Sequence, residues 1–420
     1  MVKHVNKTVL GCSLILTLFI GCGGYDNEDK NVVGEAKLLA PAKLLFDFNS
    51  SVMQSLIAQI GITDKPAFGI KGYKIIYATK NDKGEDINAS GLVTVPVPSS
   101  AILEGLRKKG KTYSMSIVSD QHGTIFPDTE APTNVAATIG TNAAALLSPD
   151  SWTIQSIIAL SVVGGFVTIQ PDYIGFGSSK GITHPYLLEK SSANCVIDMI
   201  QSALKFGNDG HLPLNGQIFL TGYSEGGYVT LAAAKEIEKN YPDISLKGVA
   251  PMSGPYDLNL TGMGVLSSPT MQRPDFIGGI INSYGQNYDI DLTTMVNEPY
   301  ATKLPTFFLG DYTGAQIRAE LTESIDEFFV TNFKVDFLTN PNNKLRTLFV
   351  QNSVNDYKPK TKTKLYYCKG DTVIPSVIPE SSAAKMGIEA VNIGDTYEHV
   401  ECASPAYEAV TQWFNELRSE

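Results

Sequence analysis

Six residues, Gly222-Tyr223-Ser224-Glu225-Gly226-Gly227, constrain this chain more than any other stretch. They spell G-x-S-x-G. Before them runs an apolar segment of strand type, Gln217-Ile218-Phe219-Leu220-Thr221. After them, Tyr228 to Asn240 is rich in Ala, Leu, Glu and Lys, which favour helix. A serine between glycines on a strand-to-helix turn is the pattern of a nucleophile elbow, where the turn is strained and neighbouring backbone comes close. The bland alternative is a glycine-rich turn that happens to hold a serine, and the flanking strand and helix weigh against it.

A serine hydroxyl needs a general base, and the base needs an acid to orient it. The order along a chain of this type is Ser, then Asp or Glu, then His. The histidines are His4, His122, His184, His211 and His399, and only His399 follows Ser224. It lies in a polar loop after the strand-like run Ile388 to Ile393 and before a helix-like segment at about 405–417. For the acid, Lys364 to Cys368 reads as a buried strand, and Asp371 stands in the loop leaving it. That is the sheet edge where open α/β folds place their sites. An Asp that only caps a turn is the alternative. Asp356 and Asp395 are weaker candidates, because one precedes the strand and the other is close enough to His399 to shape its loop. Oxyanion donors are expected from the backbone N–H of Glu225 and from Gly123 or Thr124, in the loop after the strand Tyr113 to Ser119. His122 reads as a brace for that loop.

Taken together, these residues resemble the α/β-hydrolase superfamily, and more narrowly the bacterial relatives of the secreted (Candida-type) lipases and esterases. The likeness is carried by Gln121-His122-Gly123-Thr124, Pro171-Asp172-Tyr173-Ile174-Gly175-Phe176-Gly177, His184-Pro185-Tyr186, Gly222 to Gly227 and Gly370-Asp371. It implies carboxylic ester hydrolysis, with Ser224, Asp371 and His399 as the triad. It also makes His122, Tyr173, His184 and Tyr223 candidate pocket residues, with simple packing as the alternative for Tyr173 and His184. One residue departs from the pattern. Such proteins often have Gln, Met or Gly after the serine, and here Glu225 puts a carboxylate beside the nucleophile. If it pointed inward it would oppose a developing oxyanion.

The fold expected is α/β: a mostly parallel eight-stranded sheet with helices on both faces. Gly72 to Lys80 and Ala89 to Pro98 alternate as an antiparallel start, joined by the turn at Asn81-Asp82-Lys83-Gly84. Pro41 to Ile60 has helical spacing. After Asp257 the strand–helix alternation stops for about a hundred residues, which marks a functional insertion. Residues of about 258–360 are expected to form a helical lid or cap, with Ile317, Leu321, Ile325, Phe328, Phe329 and Phe333 at helical period. That stripe reads as local core rather than substrate contact.

The leader, Lys3 to Ile20, has the charge and apolar core of a signal peptide covering residues 1–21. It ends in Phe19-Ile20-Gly21-Cys22, which resembles a bacterial lipobox with Cys22 as the lipidated residue. A tether of residues 22–40 would follow, and a hydrolase domain of 41–420. The expectation is an exported envelope lipoprotein, anchored to a membrane through its N-terminal lipid; free secretion is the alternative. Cys368 and Cys402 flank the acid and base loops and are read either as a disulfide or as two separate buried thiols. The net charge of −10 and the absence of a dense basic cluster exclude nucleic acid as a partner. His and Cys are scattered without zinc-type spacing, so no metal or cofactor is expected. The partner is a small-molecule or lipid ester. Rival readings are a serine aminopeptidase or acyltransferase using the same triad, or a surface lipoprotein that binds without catalysis.

Overall fold

The computed structural model describes residues 38–63, 65–148 and 150–419. The expected leader and Cys22 lie outside the described residues. Among the described residues, nine strands form one sheet: β1 (Lys43–Phe48), β2 (Gly69–Lys80), β3 (Asp86–Val97), β4 (Met115–Gln121), β5 (Val167–Pro171), β6 (Leu214–Tyr223), β7 (Leu246–Met252), β8 (Lys364–Tyr367) and β9 (Glu389–Asn392). Their order is β1-β2-β3-β5-β4-β6-β7-β8-β9. The first three strands are antiparallel, β3 meets β5 antiparallel, and everything from β5 to β9 is parallel.

The sheet therefore has one strand more than the sequence suggests. Pro41 to Ile60 is not one helix. Lys43–Phe48 pairs with β2, and Asn49 then caps a short helix, Ser50–Gln59, by accepting the Val52 N–H at 3.0 Å. The apolar spacing fits either structure, and the free edge of β2 decides it. Leu38 and Leu39 also pair along β2, so part of the expected tether belongs to the sheet. The β2–β3 hairpin closes as its sequence indicates: the Gly84 N–H donates to Asn81 O at 3.0 Å, and Gly84 holds φ 82°.

Alternation along β6 shows why the sheet is covered twice. Ile218 and Leu220 pack with residues of the helices Glu189–Asp209 and Glu225–Asn240. Phe219 faces the other way, onto Phe414 of the C-terminal helix Ala403–Ser419 at 4.7 Å between ring centroids. A central parallel strand is apolar on both faces because both carry helices. The segment between β7 and β8 is helical throughout, but in short pieces. Its aromatic stripe is split among Gly314–Glu320, Ile325–Phe328 and Thr331–Thr339. Thr313 and Ser324 cap the first two pieces, so helical spacing runs on where the helix itself does not. Phe328, Phe329 and Phe337 are buried and join the core that the sheet forms with its helices.

One buried carboxyl supports the sheet beneath the site. Asp120, on β4, is fully buried; it accepts from Tyr407 Oη and Gln170 Nε2, both at 3.0 Å. Burial pushes its pKa up to about 7, and those hydrogen bonds offset only part of the effect. Below the ordinary value of 3.8 the folded and unfolded chains both hold this proton. As pH rises from there, the unfolded chain releases it while the folded chain keeps it, so stability falls until the folded group ionises near 7. Asp120→Asn is expected to flatten that part of the stability–pH curve, and urea melts between pH 4 and pH 8 would measure it. An unchanged slope would show that Asp120 is ionised throughout.

Candidate active site

Ser224 ends β6 and begins the helix Glu225–Asn240 with φ 59° and ψ −120°, a conformation that L residues rarely hold. Two glycines make the turn physically possible. A Cβ on Gly226 would stand 1.8 Å from Gln121 O, and one on Gly222 would stand 2.4 Å from Gly226 O. The loop after β4 is therefore pressed against the elbow, and no side chain fits between them.

The chain then brings three distant groups into line. Ser224 Oγ lies 2.9 Å from His399 Nε2, and His399 Nδ1 lies 2.6 Å from Asp371 Oδ2. The other carboxylate oxygen, Oδ1, accepts the Val373 and Ile374 N–H groups at 3.0 and 2.8 Å, which aims Oδ2 at the imidazole. Asp371 and His399 are both buried. The weaker acid candidates are engaged elsewhere: Asp356 pairs with Lys235, and Asp395 accepts from Asn392.

Several links hold the His399 loop. Cys368 and Cys402 form a disulfide that joins the chain just before Asp371 to the chain just after His399. Thr372 donates its hydroxyl to Glu398 Oε2 at 2.8 Å. Tyr223 Oη donates to the backbone O of His399 at 2.6 Å, and the Tyr223 ring stacks on Trp152 at 5.4 Å. Tyr223, immediately before Ser224, thus holds His399 beside that serine.

The expected oxyanion donors occupy the right elements. Glu225 is the first residue of its helix, where backbone N–H groups have no partner within the helix. Among the described residues, the N–H groups of Glu225, Gly123 and Thr124 make no backbone hydrogen bond outside regular elements. His122 braces their loop: Nδ1 lies 2.8 Å from Gly123 O, and Tyr173 Oη donates to His122 O at 3.1 Å. Burial lowers the His122 pKa.

A cavity of about 370 Å³ opens beside Ser224 and Glu225. The helical segment after β7 supplies Leu260, Val265, Phe276 and Ile280 to its walls, and the acid loop supplies Ile374 and Ile378. The expected pocket residues do not line it. His122, Tyr173 and Tyr223 are buried behind its wall, and His184 and Tyr173 flank a separate void of about 10 Å³. Tyr186 reaches the cavity instead, and its hydroxyl lies 2.7 Å from Thr124 Oγ1. A motif fixes where a loop stands, while the facing of its side chains depends on packing. A larger groove of about 1120 Å³, walled by Phe68, Ile158 and Gln412, includes none of the candidate site residues. Among the described residues no cluster of His, Cys, Asp or Glu could hold a metal ion, and no helix is long and apolar enough to cross a membrane.

The secretory lipase family model matches residues 152–378, more than half of the chain. Ser224 and Asp371 fall inside the match, and His399 falls beyond it. No curated protein sequence matches the chain. Among solved structures, a Legionella pneumophila protein described as a hydrolase is 23% identical with a TM-score of 0.78, covering 91% of this chain and 99% of its own. The rice cell wall degrading esterase LipA of Xanthomonas oryzae is 21% identical with a TM-score of 0.74, covering 92% and 98%. Candida antarctica lipase A, in its closed state, is 12% identical with a TM-score of 0.58, covering 89% and 81%. At these identities the likeness speaks for the fold, which is the α/β-hydrolase fold.

The Tyr223 contact makes a checkable claim. Tyr223→Phe leaves a buried carbonyl without its donor, at a cost of about 1–3 kcal/mol. The variant is expected to melt earlier and to react with a fluorophosphonate about tenfold more slowly, as a loosened imidazole would. An unchanged rate in a destabilised protein would make the contact purely structural.

Proposed function

We propose, from the premise that the chain belongs to the secretory lipase family and is a carboxylic ester hydrolase, that it works through an acyl-enzyme formed on Ser224. The observation that carries this reading is the unbroken line from Ser224 Oγ to His399 Nε2, and from His399 Nδ1 to Asp371 Oδ2. With the Asp371 carboxylate at Nδ1, the imidazole proton stays there, and the Nε2 lone pair faces the hydroxyl. His399 takes the Ser224 proton as the oxygen attacks the ester carbonyl, then gives it to the departing alcohol. The Glu225 N–H and that of Gly123 or Thr124 receive the carbonyl oxygen as it gains charge, a contribution of about 3–4 kcal/mol for one such donor. Water, activated by the same imidazole, then releases the acid.

The helical segment of about 258–360 acts as a cap that shapes the acyl site. Its apolar walls favour an uncharged acyl chain, and the cavity volume stands at the lower end of small-molecule sites, about 300–1,000 Å³. The ester is therefore of short to medium acyl length. A secretory family and a disulfide beside the base both fit export to an oxidising compartment. Lipidation of Cys22 would keep the enzyme at the cell envelope.

Two measurements test this reading. A fluorophosphonate is expected to label the wild type and not Ser224→Ala, while His399→Ala lowers kcat by about 10⁴-fold or more with little change in Tm. A folded wild type that neither labels nor hydrolyses esters would sink the triad and leave a binding protein. Across p-nitrophenyl esters of increasing length, kcat/KM is expected to rise by up to about fourfold per methylene until the cavity is full. A flat series would remove the acyl chain from this cavity.

A further inference from the structure

The carboxylate beside the nucleophile is the site's one chemical anomaly, and its surroundings suggest a purpose. The Glu225 side chain is buried and turned toward His184, with Oε1 2.7 Å from Nε2. The other ring nitrogen, Nδ1, lies 2.8 Å from the backbone O of Ile174. A carbonyl oxygen only accepts, so Nδ1 carries a proton. One further proton must then lie between Nε2 and Oε1, on whichever atom holds it. The two side chains together are neutral in either arrangement. Tyr173, Phe176 and Tyr186 surround the imidazole, with ring centroids at 5.8, 5.2 and 5.8 Å.

The loop carrying His184 also reaches the other half of the oxyanion site. Two residues on, Tyr186 Oη meets Thr124 Oγ1 at 2.7 Å. One short turn, His184-Pro185-Tyr186, therefore touches the side chains of Glu225 and Thr124, whose amides are the donors proposed above.

We propose that His184 and Glu225 form a neutral, proton-holding pair that positions the Glu225 amide and removes the carboxylate's charge from the oxyanion it serves. His184 is a positioning residue, since it touches neither Ser224 nor the cavity. The inference rests on the acyl-enzyme reading above. An uncancelled carboxylate a few ångströms from a developing oxyanion would slow the reaction on the order of a hundredfold, because like charges in a partly desolvated site repel strongly. The cost falls on the transition state alone, because the bound ester carbonyl bears no full charge.

The test is a double-mutant cycle in the full chain, read with p-nitrophenyl butyrate. His184→Phe keeps a ring in the aromatic surroundings and removes the partner that cancels the Glu225 charge. It is expected to lower kcat about a hundredfold with KM within about threefold. Glu225→Gln keeps a hydrogen bond to the imidazole without the charge and supplies the corner of the cycle against which the second His184 substitution is read. The double variant is expected to recover kcat to within about tenfold of wild type. If His184→Phe does not fold, His184→Gln, which still donates to the carboxylate without cancelling it, is expected to lose about tenfold and to regain it with Glu225→Gln. A double variant as slow as the His184 single variant, or a loss confined to KM, would overturn the proposal. A wild type inert toward both ester and fluorophosphonate would instead overturn the underlying triad, so the two failures are separable.

Discussion

The strained backbone of Ser224 is the constraint on which the rest of the site depends. At φ 59° the residue sits on a sharp turn, and the chain passes at once from strand to helix. The serine hydroxyl then stands at the C-terminal edge of the sheet, and the amide after it falls on the unpaired end of a helix. Such a turn persists only where its surroundings over-determine it. Here the loop after β4 presses on Gly226, β7 accepts the Ser224 N–H through Met252 O at 2.9 Å, and helix and strand are buried on both sides.

Around that point two kinds of element meet the sheet, the loops at its C-terminal edge and the helical segment between β7 and β8. The base loop is fastened by a covalent bond at Cys402 and by the hydroxyl of Tyr223. The loop after β5 is fastened by Asp172. Its carboxylate accepts from Ser90 Oγ at 2.5 Å, from Thr133 Oγ1 at 2.7 Å and from the Thr133 N–H at 2.8 Å. Burial raises the Asp172 pKa, and the same three donors oppose that rise. Catalytic groups on loops need such support, because a misplacement of about 1 Å can cost two orders of magnitude in rate. The helical segment between β7 and β8 takes a different part. Its aromatic residues join the core that the sheet and its helices form, and it lends apolar side chains to the cavity.

Charge sets the second theme. Asp120, Asp172 and Glu225 are all buried, and among the described residues no Lys or Arg is hydrogen-bonded to any of them. Each relies instead on hydroxyls, amides or an imidazole. A site built to stabilise transient negative charge gains from neutral, hydrogen-bonded surroundings, because fixed dipoles act without the reorganisation that water would need.

The sequence by itself determined the elbow, the order of its partners and the class of sheet. Those features depend on local signals: glycines where no Cβ fits, a strand and helix on either side, and a single histidine downstream of the serine. It also marked Glu225 as a departure, though not the imidazole that answers it. Only the tertiary structure decided that Lys43–Phe48 is a strand, that the aromatic stripe is three short helices, and that Tyr186 rather than Tyr173 or His184 faces the cavity. The reason is the same each time. A free strand edge, a cap residue or a turned loop chooses among local structures that the residues alone allow equally, and that choice is made by contacts between parts of the chain far apart in sequence.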